Sequence, residues 1–471
     1  MSLVPKSRPS ALPRVFSENC NGLVVIRAVM DGPFAPPESS GQARWPVLGS
    51  AADEPSSQQF HARAVRPRHP DDRFVLPMIS YDEALARLTG AVQSLPGETI
   101  GLDAAEGRTL AKRVVAAIDA PRADVSAMDG YAVRMTEARA GDWLNLVGEA
   151  AAGVPFGGDM SAGEAVRIFT GAYVPSGADC VVMQEYAERE GDRVRFREGF
   201  GPARHIRKRA GDFAKGATLL EVGQRLTPRA MVALAGADIA EIEVTRRPKV
   251  AVIATGDELE QPGSAHLSPH GLPESGSYGV SALAMSCGAT LAERMRGRDD
   301  LEVLSGLARR ALDIADCVVI IGGASVGDHD LARPMFAGTG LHEYFARIAI
   351  KPGKPVWFGM CGEKPVLGLP GNPTSAMVTA RLFLVPLLAA IQGGNGAHEV
   401  RFIPQILAAD LPPNGSREAF VRARATEEGL LPADNQESGA QAPLASSDWL
   451  IRRPANDGPR SSGEAVRAIN F

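Results

Sequence analysis

Aromatic residues are scarce. They make up 6% of the 471 residues, so buried interiors have to be built from Val, Leu, Ile and Ala. Cysteine is scarcer still, with five residues (Cys20, Cys180, Cys287, Cys317 and Cys361) and no CxxC pair. An odd number of scattered cysteines excludes a disulfide framework and a cysteine zinc site, and the expected compartment is a reducing cytoplasm. Neither sign of charge dominates: 50 Lys and Arg stand against 55 Asp and Glu, for a net charge of −5. Without a basic excess, nucleic acid is not an expected partner. Long apolar runs are missing too. The strongest, 382–391, is interrupted by Pro386, whereas a spanning helix needs about 20 such residues, so no membrane association is expected. The N-terminus lacks the charged, apolar and cleavage order of a secretory signal.

What is present points to a multidomain globular chain, about two to four domains by length. Apolar residues at 45% and charged residues at 22% exclude global disorder. Residues 1–77 carry 11 of the 35 prolines and show no apolar period. This stretch reads as a disordered extension, dispensable for folding and activity. From Ser80 the pattern becomes helical, with Ser80 as N-cap and Glu83 completing a capping box. Short Gly-separated β-like runs at 143–147, 165–169, 180–184 and 193–196 indicate a β-rich region. A Thr-Pro start signal opens a second helix at 227–234. The continuous apolar runs at 250–254, 317–321 and 366–369 alternate with helical segments at 281–286 and 300–314. Strands buried on both faces and alternating with helices predict a parallel α/β sheet. After Gly396 short strand-like pieces continue to the end.

Ligands of open α/β sheets bind beyond the carboxyl ends of the strands. Three unusual loops stand at those ends: 255–258, 322–330 and 370–375. Each alone reads equally as a tight turn. Three in succession point to a phosphate-bearing ligand held by glycine backbone and helix N-termini. None has the P-loop or G-x-G-x-x-G pattern. Lys351 and Lys354, restricted by Pro352 and Pro355, suit a polyanion. Asp129, Glu258, Asp299 and Asp330 also fall in loops. Carboxylates beside an anion repel it unless a cation such as Mg²⁺ intervenes. For Asp129 a turn-stabilising role stands beside the functional one. His329 has no partner in the pattern and no Ser/His/Asp spacing suggests a hydrolase.

Several motifs occur together in one order: SAMDGYAV at 126–133, FTGAYVPSG at 169–177, the segment 211–219, ATGDEL at 254–259, GGASVGDHD at 322–330, IKPGKP at 350–355 and LPGNPTS at 369–375. In this the chain resembles the molybdopterin molybdenumtransferase family, the molybdenum insertases, over about residues 77–425. The resemblance implies a multidomain α/β and β fold. Its parts would be a helical linker (77–118 and 218–247), a β-rich insert (119–217), a parallel α/β molybdopterin-binding domain (248–396) and a small C-terminal β-barrel-like domain (397–471). It implies a cytoplasmic homodimer that inserts molybdate into adenylylated molybdopterin with release of AMP, with Mg²⁺ as cofactor. Asp129, Glu258, Asp299, Asp330 and Lys351 would be catalytic, with Glu258 and Asp330 as metal ligands. Thr170, Gly322, Gly323, Ser325, Gly327, Arg347, Lys354, Pro370, Gly371 and Asn372 would hold the substrate. Asp129 and Lys351 would meet in a cleft shared by two subunits.

One departure stands out. Glu274-Ser275-Gly276 occupies the place of an Asp-Ser-Asn type stretch. The acid is longer by one methylene and the amide is missing, so Asn at 276 is expected to restore a contact without harm. The C-terminal matches, at 415–420 and 436–439, are weak. Two other readings remain at this level: a molybdopterin adenylyltransferase, and a non-catalytic pterin-binding or scaffolding protein.

Overall fold

A six-stranded sheet dominates the α/β region. Its order is Thr290–Gly297, Lys249–Thr255, Cys317–Ile321, Lys364–Leu369, Trp357–Cys361 and Leu341–Phe345. The first four strands are mutually parallel. The structure, a computed structural model, describes residues 78–323 and 331–471. The expectations for 1–76 and for Ser325, Gly327, His329 and Asp330 fall outside the described residues.

The parallel runs are continuous in hydrophobicity because both faces are covered. Val250, Val252, Val319 and Ile321 face one core, together with Val280 of helix α3 (Gly276–Ser286). Ala251, Ile253, Val318 and Ile320 face the other, with Leu304 and Ala308 of α4 (Leu301–Ile314). The sheet is mixed rather than all-parallel. Trp357–Cys361 runs antiparallel to Lys364–Leu369 because only Gly362 and Glu363 join them, and a parallel pair needs a crossover of a dozen residues or more. Gly362, at φ 61°, supplies the left-handed turn.

The two predicted helices before the sheet form as α1 (Tyr81–Ala91) and α2 (Pro228–Gly236). Ser80 Oγ accepts the Glu83 N–H at 3.1 Å. Glu83 does not close the capping box; its carboxylate pairs with Arg87 one turn on. Tyr81, Ala84 and Leu88 of α1 bury their stripe in the α/β core. The linker region is mixed rather than helical. Gly97–Gly101 pairs with Glu241–Thr245, and Val114–Val115 with Thr218–Leu220.

The apolar run at 382–391 is the second half of a helix, α5, spanning Pro373–Ile391. Pro386 has no N–H to return to Leu382, and the turn at Ala380–Leu384 has π spacing. Among the described residues α5 alone is long and apolar enough to cross a membrane, yet 78% of its most apolar window is buried inside the protein.

The β-rich insert is a six-stranded sheet ordered Cys180–Met183, Gly130–Val133, Glu164–Ile168, Trp143–Ala150, Arg193–Phe196, Ala187–Glu190. In the C-terminal region Ile350–Lys351 pairs with Glu418–Thr426, followed by Trp449–Arg453, Ala465–Asn470 and Ile403–Ile406. Gly429–Pro432 pairs with Glu418–Thr426, and a bridge from Leu407 to Leu430 closes the path on itself in a barrel-like way.

Candidate active site

A cavity of about 810 Å³ opens at the carboxyl ends of Lys249–Thr255, Cys317–Ile321 and Lys364–Leu369. Among the residues singled out in the sequence, Glu258, Asp299, Gly322, Gly323, Arg347, Lys354, Pro370, Gly371 and Asn372 all line it. Gly322 has φ 102°, and a Cβ there would lie 2.6 Å from the Thr255 carbonyl oxygen. Only glycine lets the second loop fold back this closely. Glu258 bends back over its own loop, so that a Cβ on Gly256 would lie 2.7 Å from Glu258 Oε2. Asp257 Oδ1 accepts the Asp299 N–H at 3.1 Å and ties the first loop to the segment before α4. The sequence reading passed over Asp257, although it stands in the same ATGDEL motif.

The departure at 274–276 has a physical account. Glu274 is buried, at 6% exposure, and its carboxylate accepts the Ser277 N–H at 2.7 Å and the Ser277 hydroxyl at 2.5 Å. The longer acid thus caps α3 from one residue outside the usual position. A Cβ on Gly276 would come within 3.2 Å of Ile321 Cγ2. Asn at 276 would therefore be accommodated only if Ile321, which itself lines the cavity, gives way by a few tenths of an ångström.

The C-terminal region supplies a wall that the sequence reading did not assign. Gln441 lines the cavity. Asn372 Nδ2 donates to Ser438 Oγ at 2.9 Å, and Thr374 Oγ1 donates to the Ala440 carbonyl at 2.9 Å. Behind them the guanidinium of Arg422, 1% exposed, donates to the carbonyls of Asn435, Glu437 and Ala440. An arginine whose fork is spent on three carbonyls holds an irregular segment in one shape. Its sequence signal, one of two arginines (Arg422 and Arg424) in a strand pattern, is too common to find it.

Three of the predicted residues lie elsewhere. Lys351 is exposed on the short strand Ile350–Lys351, in register with Ala419, and is not part of the cavity lining. Asp129 and Thr170 sit together on the insert. Thr170 donates its N–H and its hydroxyl to Asp129 Oδ1, both at 2.7 Å. These two bonds hold the Asp129 carboxyl below the usual carboxylate range. Gly130 follows at once because a Cβ there would lie 2.0 Å from the Val182 carbonyl oxygen. Among the described residues no group of three or more His, Cys, Asp or Glu is placed to hold a metal ion.

Family models match this chain in three consecutive pieces. They are the MoeA N-terminal region (domain I and II) at residues 79–237, a "Probable molybdopterin binding domain" at 251–390, and the MoeA C-terminal region (domain IV) at 405–471. A protein of Haemophilus influenzae called molybdopterin molybdenumtransferase is 35% identical over 404 residues, covering 84% of this chain and 99% of its own. The chain belongs to the MoeA family. A Nostoc sp. relative of the same name is 33% identical over 390 residues, covering 79% of this chain and 88% of its own. Among solved structures, the molybdopterin biosynthesis moeA protein of Pyrococcus horikoshii OT3 superposes with a TM-score of 0.73 at 27% identity, over 84% of this chain and 100% of that one. The MoeA flanking regions on both sides of the α/β sheet weigh against the adenylyltransferase reading. This member of the MoeA family is a transferase of molybdenum cofactor biosynthesis.

Proposed function

We propose that this chain inserts molybdate into adenylylated molybdopterin and releases AMP, acting as a cytoplasmic homodimer that uses Mg²⁺. The observation that carries the reading is the cavity at the strand ends, where Arg347 and Lys354 share a lining with Glu258 and Asp299. Release of AMP breaks a phosphoanhydride, so charge develops on phosphate oxygens and must be neutralised. Arg347 and Lys354 bind those oxygens and the molybdate dianion. The backbone of Gly322, Gly323 and Gly371 lets the phosphate approach closely. Ser325 and Gly327 are further proposed substrate contacts, and Pro370 and Asn372 shape the third loop.

Glu258 and Asp330 are the proposed metal ligands. A site of one or two carboxylates completed by substrate phosphates suits Mg²⁺, which rarely takes an all-protein cage. When bound, the ion supplies charge neutralisation at the phosphoanhydride. Asp299 orients the substrate, held in place by its bond to Asp257. Asp129, kept ionised by Thr170, and the exposed Lys351 act from surfaces outside the cavity of their own chain.

The test is to mix the purified chain with adenylylated molybdopterin and molybdate. AMP is expected in step with molybdenum incorporation. A chain that instead consumes ATP with free molybdopterin is an adenylyltransferase, and one that releases nothing is a binder. Lys354→Ala removes a charge-assisted contact to phosphate and is expected to weaken substrate interaction by about 1.5–3 kcal/mol.

A further inference from the structure

Three of the helices α1 to α5 use their N-cap side chains, whereas α3 and α5, which both open into the cavity, do not. Ser80 caps α1, Thr227 caps α2 and Asp300 caps α4, each accepting a backbone N–H of its own first turn. At α5 the Asn372 side chain is instead bonded to Ser438, and at α3 the cap is taken over by another residue. Ser275 is the N-cap residue of α3 and makes no capping bond. Glu274 does that work in its place through Ser277. The Ser275 hydroxyl is left shielded from solvent and without a hydrogen-bond partner.

Two more groups of the same kind line the same cavity. Thr255, 6% exposed, and Trp357, 1% exposed, each carry a buried polar atom with no partner, Oγ1 and Nε1 respectively. Three of the six such atoms among the described residues therefore gather at one cavity. An unmade hydrogen bond in a buried setting is costly, and proteins leave few of them. Concentration at one place is what a site looks like when its partner is a ligand.

We propose that Thr255 and Ser275 are ligand-recognition residues whose hydroxyls, kept free of protein partners, hydrogen-bond the heteroaromatic end of the substrate, and that Glu274 is a positioning residue that releases Ser275 from capping. The inference rests on the functional reading above. A hydroxyl donates and accepts, an indole N–H only donates, and turning toward a bound ring edge requires of a hydroxyl no more than χ1 rotation. A fused pyrimidinone ring offers such alternating acceptors and donors along one edge. The cations come from a different segment, which carries Arg347 and Lys354. The hydroxyls of Thr255 and Ser275 would meet the ring, and Arg347 and Lys354 the phosphate and molybdate, within one cavity lining.

The experiment measures equilibrium binding of free molybdopterin, and thermal stability without ligand, for the full chain and for Thr255→Val, Ser275→Ala, Glu274→Ala and Glu274→Gln. Thr255→Val and Ser275→Ala are each expected to lower affinity by about three- to tenfold. Their melting temperatures should be unchanged or higher, because each removes an unsatisfied buried group. Glu274→Ala hands the helix end back to Ser275 and should lose affinity like Ser275→Ala. Glu274→Gln keeps an acceptor for the Ser277 N–H and should restore most of it. Affinity within twofold of wild type in both hydroxyl variants overturns the proposal. So does a fall in melting temperature that accompanies the loss, since the hydroxyls would then be structural. AMP release by the wild-type chain is read separately. A chain that binds molybdopterin through these hydroxyls yet releases no AMP overturns the functional reading and leaves the hydroxyl assignment standing. A wild-type chain that binds no molybdopterin overturns both.

Discussion

The cavity at the strand ends and the Asp129 surface of the insert are both built around carboxylates, yet they solve opposite problems. In the cavity, Glu258 and Asp299 share an open lining with Arg347 and Lys354. Opposite charges converge there, and a polyanion finds its counter-charges within one chain. On the insert, Asp129 is half-buried, and both bonds to its Oδ1 come from Thr170. Nearby apolar groups are exposed, Met128 at 42% and Tyr173 at 42%. A carboxylate held in one orientation, kept ionised and flanked by exposed apolar side chains is prepared for a second surface rather than for water. The comparison teaches that one region gathers both signs of charge within one chain, while the other presents a carboxylate outside the lining that holds those cations. A two-fold dimer, in which each insert faces the partner's cavity, would join the two.

The largest expected effect breaks that comparison directly. Asp129→Ala and Lys354→Ala should each be strongly impaired alone when assayed well below substrate saturation. Unfolded together and refolded, they form mixed dimers in which one cleft carries both lesions and the other carries none. With random pairing roughly a quarter of all clefts are then intact. Recovery of AMP release near that level supports a shared site. Mixed dimers confirmed by mass that show no recovery place both residues in a cleft of one chain.

Much of this arrangement was legible in the residues. The apolar runs at 250–254, 317–321 and 366–369 were readable as buried strands because nothing polar interrupts them, and their Gly-rich exits marked the cavity. The mixed sheet was not, because its cause is a two-residue link, Gly362–Glu363, whose meaning depends on which strands flank it. Lys351 and Lys354 lie three positions apart and read as a pair. The backbone separates them by committing Lys351 to a strand of the C-terminal sheet. The wall around Ser438, Ala440 and Gln441 was invisible, since it is made by carbonyls that Arg422 gathers from an irregular segment. Side-chain partnerships across long sequence separations carry no local periodicity to detect.

A middle-sized effect sharpens the cavity's side of the comparison. Gly276→Asn places a Cβ 3.2 Å from Ile321 Cγ2, at the end of a central strand that is buried on both faces. Ile321 is 3% exposed and can yield only on the side where it lines the cavity. The substitution is expected to destabilise the fold by about 1–3 kcal/mol, read as a shifted denaturation midpoint. It should also weaken molybdopterin binding by displacing the start of α3, where Glu274 and Ser275 sit. Unchanged stability with tighter binding would mean that the sheet end relaxes and that the missing amide matters more than the packing.

The smallest effect belongs to the insert. The Asp129 carboxyl lies below the ordinary carboxylate range because of the Thr170 backbone N–H and then the Thr170 hydroxyl. Thr170→Val keeps the first bond and deletes the second while preserving side-chain shape. The sign follows from which form the bond favours. A hydrogen bond to the ionised carboxylate lowers its pKa, so deleting the bond raises it toward the usual value. If ionised Asp129 is required for turnover, the acid limb of the pH–rate profile moves to higher pH in the variant. The plateau near neutrality should stay close to wild type, because the carboxylate is ionised there in both proteins. Folding stability follows the same direction. A depressed carboxyl pKa contributes stability that is present above the unfolded-state pKa and is lost as pH falls through the folded-state value. Because Asp129 is only half-buried and remains in contact with solvent, that contribution is small, and the kinetic limb is the measurement to make. An acid limb that stays in place would take Asp129 out of the titrating machinery and leave it the turn-stabilising role open to it from the sequence. The insert would then be a platform beside the site rather than half of it.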